Sequence, residues 1–223
     1  MFVFLAALVL ASGGEAVSTE PTPEPTISPP IAPPSPGLGL VIGGHLGYQN
    51  PRGNFYRNGL KPGLAGMVTI GIRPIPHFSI ETSLYSGTGR FEPTNDPISI
   101  TVTGTADARF FLLGNGAAVP ILGRIEPNVL IGYSTDAKAV LTSPPSDEYF
   151  TSYEYYGYST NIGCGARVPR GRAWASLDLR YMFIRYTEAK IGDRFYDTYY
   201  DGDIPRHVHG DLVSLLLGAG VQF

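Results

Sequence analysis

No apolar run in this chain approaches the ~20 residues that a membrane-spanning helix needs. The most compact one, Phe2 to Ala11, is only half that length, so a helical membrane protein is excluded. Positive charge is not in excess either: 16 Lys and Arg stand against 19 Asp and Glu, for a formal net charge of −3. That balance gives no indication of a nucleic-acid partner, which would need a clustered basic surface. A single cysteine, Cys164, cannot close an internal disulfide, so the fold is not stapled and its redox compartment is left open. What is plentiful is glycine, 28 residues, and tyrosine, 14 residues, interleaved with short apolar stretches. That mixture points to many strands joined by turns.

Two segments stand apart from the fold. Residues 1–16 read as a secretory signal: a compact apolar run followed by small residues at Gly14-Glu15-Ala16, with cleavage near Ala16. No Lys or Arg precedes the run, a departure from the usual leader, and no Cys near the cleavage point offers a lipid acceptor. Residues 17–37 read as a proline-rich periplasmic linker, with TEPTPEPTISPPIAPPSP over Thr19 to Pro36. Proline at this density withholds backbone donors from helix and sheet and favours polyproline II. Extended, the segment reaches about 50 Å, and it is expected to be disordered and passive.

From residue 38 to 223 the chain repeats one pattern. Segments of about ten residues alternate apolar with small or polar side chains, the period-2 signature of a strand with two unlike faces. Eight are expected, near 38–49, 65–73, 77–86, 98–112, 120–133, 156–168, 172–186 and 211–223. In the fourth, Ile98, Ile100, Val102, Ala106, Ala108 and Phe110 oppose Ser99, Thr101, Thr103, Thr105, Asp107 and Arg109. In the last, Val213, Leu215, Leu217, Ala219, Val221 and Phe223 share one face. The connections are expected to alternate strictly between tight turns (Arg73 to His77, Leu113 to Val119, Val168 to Arg172) and long loops (50–64, 87–97, 134–155, 187–210). An even strand count with this asymmetry predicts an all-β fold: a closed antiparallel eight-stranded transmembrane β-barrel, up-and-down, behind a disordered proline-rich N-terminal segment.

The polar face decides which side is inside. Alternation assigns it Glu81, Asp107, Arg109, Arg124, Glu126, Asn128, Asn161, Asp178 and Arg180, while the opposite face is almost free of charge. Against water that second face would be a very large apolar belt. Against lipid it is required, because backbone groups there must pair within a closed sheet. A lumen filled by a charged side-chain network follows, since eight strands leave just enough interior for side chains. His45 reads as a lumen residue and Cys164 as a small filler facing lipid. Pro127, lacking a ladder donor in mid-strand, predicts a bulge or local break. Tyr48, Tyr56, Tyr85, Tyr133, Tyr155, Tyr156, Tyr158 and Tyr186 cluster at strand ends and in loops, some expected as an aromatic girdle and others as loop filling.

With these features the chain resembles the OmpA-like and OmpX-like small outer-membrane barrels over residues 38–223. The most specific part is the ending LVSLLLGAGVQF. The resemblance implies that Leu217, Ala219, Val221 and Phe223 form the signal read by the barrel assembly machinery. It also implies a bacterial outer membrane with both termini periplasmic, and lipid and lipopolysaccharide as neighbours. No peptidoglycan-binding domain follows the barrel, so a cell-wall anchor is not implied.

The expected function is non-catalytic: a structural or surface-interaction role through the long loops, with no cofactor. An alternative is a narrow channel or solute-transport porin. A second is a lipid A-acting enzyme, because His77-Phe78-Ser79 with Glu81 has the look of the His and Ser of lipid A deacylases. A three-residue match is common by chance, and catalysis is not the reading adopted. Asp197, Asp201 and Asp203, set around Gly202, have carboxylates that suit calcium or magnesium, and His207 and His209 nearby suit zinc, but their spacing matches no ordered loop, and a solvated polar tip is expected. The first loop carries Arg52, Arg57 and Lys61, which suit lipopolysaccharide phosphates. The later loops, Tyr-rich and acidic, suit an extracellular ligand.

Overall fold

A computed structural model describes residues 39–53, 60–91, 96–114, 116–119, 123–142, 152–191, 194–197 and 208–223. The leader and linker read over 1–37 lie outside these residues, as do Tyr56, Arg57, Asp201, Gly202, Asp203 and His207.

Eight long strands form one sheet: β1 (Gly39–Pro51), β2 (Gly63–Ile75), β3 (Phe78–Phe91), β4 (Asp96–Phe111), β5 (Gly123–Thr142), β6 (Ser152–Arg170), β7 (Ala173–Ile191) and β8 (Leu212–Gln222). Each pairs antiparallel with its neighbour in the chain. The barrel closes where β1 meets β8, in unbroken register from Val41↔Gln222 to Pro51↔Leu212. The Phe223 amide donates to the Leu40 carbonyl at 3.0 Å and finishes the seam. Closure leaves no long strand with a bare edge, the condition for crossing a bilayer with strands.

The two ends of the barrel differ. One end, here the turn end, holds the two-residue turns Pro76-His77 and Gly171-Arg172 together with Gly39 and Phe223. The connection from β4 to β5 lies at this end too, beside His77, whereas those from β1 to β2, β3 to β4, β5 to β6 and β7 to β8 lie at the other, the loop end. Strict alternation of connection length is not what the structure shows. Gly87 to Phe91 pair with Asp96 to Ile100, so most of the expected loop 87–97 is sheet and only residues 92–95 connect β3 to β4. The described ends of the expected loop 134–155 are likewise strand, with Ala137 to Thr142 paired to Ser152 to Gly157. In 187–210, Arg194–Asp197 folds back on β7 and Val208–His209 also pairs there. Conversely, the expected tight turn at 113–119 is longer. Ala117–Val119 pairs back on Gly123 to Ile125, and Gly116 and Gly123 both have positive φ. These polar and tyrosine-rich segments satisfy their backbone groups in ladders, which composition alone does not distinguish from loop.

The faces also switch. Gly104, at φ +60°, lies in a bulge of β4 where the register steps from Ser83↔Thr105 to Tyr85↔Val102. Related steps occur at Ser134/Ala137 on β5 and opposite Thr187 on β7. Because side chains alternate with period 2, one extra residue exchanges inside for outside. Ile98, Ile100 and Val102 are therefore buried in the lumen, not turned to lipid as straight alternation predicts. Thr105, Asp107, Arg109 and Phe111 are inside below the bulge. At Pro127 no bulge forms: Glu126↔Arg167, Pro127↔Ala166 and Asn128↔Gly165 run in straight register. Its carbonyl accepts from Leu112 N–H at 2.9 Å, beyond the end of β4. The missing donor thus faces a point where the neighbouring strand has already turned away.

Outside, apolar side chains are exposed on every strand, from Leu40, Ile42 and Leu46 on β1 to Leu215, Leu217 and Val221 on β8. On β1 the run Leu40 to Tyr48 spans about 27 Å of strand, or roughly 20 Å of height at a tilt of 40°. With the side chains at its two ends, that is the scale of a bilayer belt of about 25 Å. Aromatics mark its borders: Tyr48, Tyr133 and Tyr158 toward the loop end, Phe78, Phe110 and Phe223 toward the turn end. Tyr85 and Tyr186, grouped by sequence with the strand-end and loop tyrosines, are instead buried in the lumen. Cys164 is exposed on the outer face.

Candidate functional site: the lumen and its two ends

The lumen has two layers of unlike chemistry. The half nearer the turn end is ionic. Arg109, fully buried, sits at its centre: Nη1 lies 2.7 Å from Asp178 Oδ1 and Nε 3.3 Å from Glu81 Oε1, and Nη1 also donates to Asn128. Arg180 Nη1 meets Asp107 Oδ2 at 2.8 Å, and Arg167 Nη2 meets Glu81 Oε1 at 3.2 Å. Arg73 Nη1 meets Glu126 Oε2 at 2.8 Å, and His45 Nε2 lies 3.2 Å from Asp178 Oδ2. Hydroxyls and amides complete the carboxylates: Ser79 donates to Glu81 at 2.9 Å, Ser176 to Asp178 at 3.0 Å, and Asn161 Nδ2 to Asp107 at 3.4 Å. Four arginines thus face Glu81, Asp107, Glu126 and Asp178, a neutral count with His45 set aside.

Glycines on the inner face make this network possible. A Cβ at Gly132 would stand 1.8 Å from Asp107 Oδ1, and one at Gly165 2.5 Å from Asp178 Oδ1. Trp174 occupies the space left by Gly43 and Gly220, where a Cβ would meet its ring at 2.4 and 2.3 Å. Around it a cation–aromatic stack closes the turn end. Arg73 lies 3.8 Å from the Phe111 ring centroid, and Arg167 lies 5.4 Å from Phe111 and 4.2 Å from Trp174.

The half nearer the loop end is apolar. Ile98, Ile100, Val102, Met182, Ile184 and Leu216 form its core with Ala137, Ala139 and others. Tyr85 joins the layers: its hydroxyl donates to Gln49 Oε1 at 2.7 Å and lies 2.8 Å from Ser214 Oγ. Above this core β3 to β7 run on past the belt. Their outer face is polar: Thr103 donates to Asp136 at 2.6 Å, and Lys138 Nζ lies 3.1 Å from Glu154. Outside the membrane belt, the Tyr156 hydroxyl and Lys138 hold the Glu154 carboxyl below its ordinary value.

The structure brings eight of the nine sequence-assigned polar residues into one buried cluster: Glu81, Asp107, Arg109, Glu126, Asn128, Asn161, Asp178 and Arg180. Arg124 stands apart, half-exposed at the turn-end rim with Nη2 3.4 Å from Glu126 Oε1. Sequence reasoning missed Arg73 and Arg167. Arg167 was within reach, since it shares the parity of Asn161 along β6; Arg73 was obscured by its place in an expected turn. His77 and Ser79 do not converge. Ser79 is buried against Glu81, whereas His77 Nδ1 accepts from Gly114 N–H at 3.1 Å at the exposed turn. Among the described residues no group of three or more His, Cys, Asp or Glu side chains is arranged to hold a metal ion. Leu217, Ala219, Val221 and Phe223 all lie on the outer face.

The barrel is closed, charged within and apolar without. The chain has the fold of the small outer-membrane β-barrels. It is similar to Neisserial surface protein A (NspA), with a TM-score of 0.54 at 13% identity over 83% of this chain and 97% of that one. It is also similar to a major outer membrane protein from Thermus thermophilus, with a TM-score of 0.56 at 12% identity over 84% of this chain and 100% of that one. No protein-family model and no curated protein matches the chain.

Proposed function

We propose that this barrel resides in a bacterial outer membrane with its loop end outward and its termini periplasmic, and that it is a non-catalytic, non-conducting surface-interaction protein. One observation carries the reading: the lumen is closed by a packed ionic layer and again by an apolar core, while β3 to β7 continue past the belt. A path for solute would have to cross both layers. The projecting sheet, with tyrosines, Thr103 and the Lys138–Glu154 pair on its outer face, offers a rigid platform for recognition. The outer-membrane placement is supported by the belt and by the fold. Insertion by the barrel assembly machinery is supported by the exposed apolar face of β8 ending in Phe223.

The test is single-channel recording of the refolded full chain in planar bilayers, paired with surface labelling of an epitope inserted at 143–151 in intact cells. A silent bilayer containing folded barrel and a labelled cell surface are expected. Reproducible conductance steps that change on altering Arg109 or Arg180 would overturn the closed-lumen reading in favour of a channel. Labelling only after cell disruption would overturn the orientation.

A further inference from the structure

The charges of the lumen do not balance once its turn-end rim is included. Five arginines, Arg73, Arg109, Arg124, Arg167 and Arg180, meet four carboxylates, Glu81, Asp107, Glu126 and Asp178. Glu126 serves both Arg73 and Arg124, and Glu81 serves both Arg109 and Arg167. Arg167 has the smallest share. Only its Nη2 touches Glu81 Oε1, at 3.2 Å, and that oxygen already accepts from Ser79 and lies 3.3 Å from Arg109 Nε.

Hydrogen-bond acceptors are short in the same place. Arg167 Nε and Nη1 are buried without a partner, and so is Nε1 of Trp174, whose ring lies 4.2 Å from the Arg167 guanidinium. Arg167 is 1% exposed and Trp174 4%. Neither nitrogen of His45, whose ring centroid is 5.7 Å from that of Trp174, takes the indole donor. Among the described residues one buried side-chain oxygen lacks a partner, Asp96 Oδ1, and it stands at the far end of β4. The protein therefore brings donors and positive charge to the turn-end half and no acceptor to meet them. A buried charge left uncompensated is costly, as is a buried donor left unpaired. Water brings as many donors as acceptors and no charge, so it passes the surplus on. A small anion accepts only, and it carries the missing charge.

We propose that the turn-end half of the lumen binds one small monovalent anion of the halide class, held by Nε and Nη1 of Arg167 and Nε1 of Trp174. Charge-assisted hydrogen bonds of this kind are stronger than neutral ones. The way in is the turn end. Its rim carries the exposed Arg170 and Arg172 and the half-exposed Arg124, and no exposed Asp or Glu side chain among its described residues. A rim of one sign raises the local concentration of the opposite ion. The anion ties Arg167 to Trp174, the ring seated in the space of Gly43 and Gly220, and so fixes the seal of this end. The site is the same whichever side of the membrane the turn end faces.

The experiment is urea unfolding of the refolded full chain in lipid vesicles as chloride replaces gluconate at constant ionic strength. The wild-type midpoint is expected to rise with the logarithm of chloride concentration, as a ligand of the folded state requires. Trp174→Phe keeps the ring and loses only the Nε1 donor. It should need on the order of tenfold more chloride for the same rise, the worth of one hydrogen bond to a charged group. Arg167→Gln should lose the rise. A wild-type midpoint indifferent to chloride would overturn the site. So would an equal rise in wild type and both variants, which is a general salt effect. If Arg167→Gln does not refold, Trp174→Phe decides together with wild-type crystals soaked in bromide. An anomalous peak beside Arg167 and Trp174 is expected. Peaks confined to Arg170 and Arg172 would mean an adventitious ion only and would sink the proposal.

Discussion

At the residue scale, the cost of a change depends on what it leaves behind in the lumen. Arg109 touches Glu81, Asp178 and Asn128 with no exposed surface of its own. A buried ion pair adds little net stability over an apolar substitute, but removing one partner leaves a charge that neither water nor protein compensates. Arg109→Ala is expected to lower stability by about 3 kcal/mol or more, read from urea unfolding in lipid vesicles. Arg52→Ala, at an exposed site, should stay within about 0.5 kcal/mol; equal losses would mean that Arg109 is not the centre of the network. Gly104 gives a second test. Its φ of +60° suits glycine, and a Cβ there meets nothing within 4 Å, so any penalty is one of backbone conformation. Gly104→Asn should cost less than Gly104→Val, because asparagine visits this region more readily than a β-branched residue. The same unfolding measurement ranks the two.

At the element scale, β4 shows how one residue sets the chemistry of half a strand. Below Gly104 its inner face is Thr105, Asp107 and Arg109; above, it is Ile98, Ile100 and Val102. Deleting Gly104 should turn those three apolar side chains outward and remove them from the loop-end core. Hydrogen exchange is the check: protection at 96–103 and at the paired 137–141 should fall, while 105–111 stays protected. Unchanged protection above the deletion would show that another residue takes up the bulge. Plain alternation, read without this step, placed Asp107 and Arg109 correctly and Ile98, Ile100 and Val102 on the wrong face. Tyr85 and Tyr186 keep the parity of Glu81 and Arg180 on their own strands, so alternation does place them inside. Their position toward strand ends groups them instead with the other tyrosines, and their partners Gln49, Ser214 and Tyr155 come from other strands.

For the molecule as a whole, closure and plugging are linked. The turn end is sealed by Trp174 set into the space of Gly43 and Gly220, with Arg167 stacked on its ring. Trp174→Ala should open this end and speed entry of a small water-soluble reagent to a cysteine placed at Ser176, in a Cys164→Ser background. Conductance should nonetheless stay absent, because the apolar core still blocks the other half. Conductance in Trp174→Ala would show that the loop-end core is not a barrier.

The strand period, the antiparallel eight-strand count, the apolar belt and most of the ionic residues of the lumen were legible in the residues alone. They follow from the alternation of side chains along each strand, a local property. Where the alternation breaks, how far β3 to β7 run past the belt, and the entry of Arg73 and Arg167 into the network were settled by the folded barrel. Those features depend on register between strands distant in the chain. A single bulge or a hairpin ladder there changes which side chains meet without leaving a clear mark in the residues themselves.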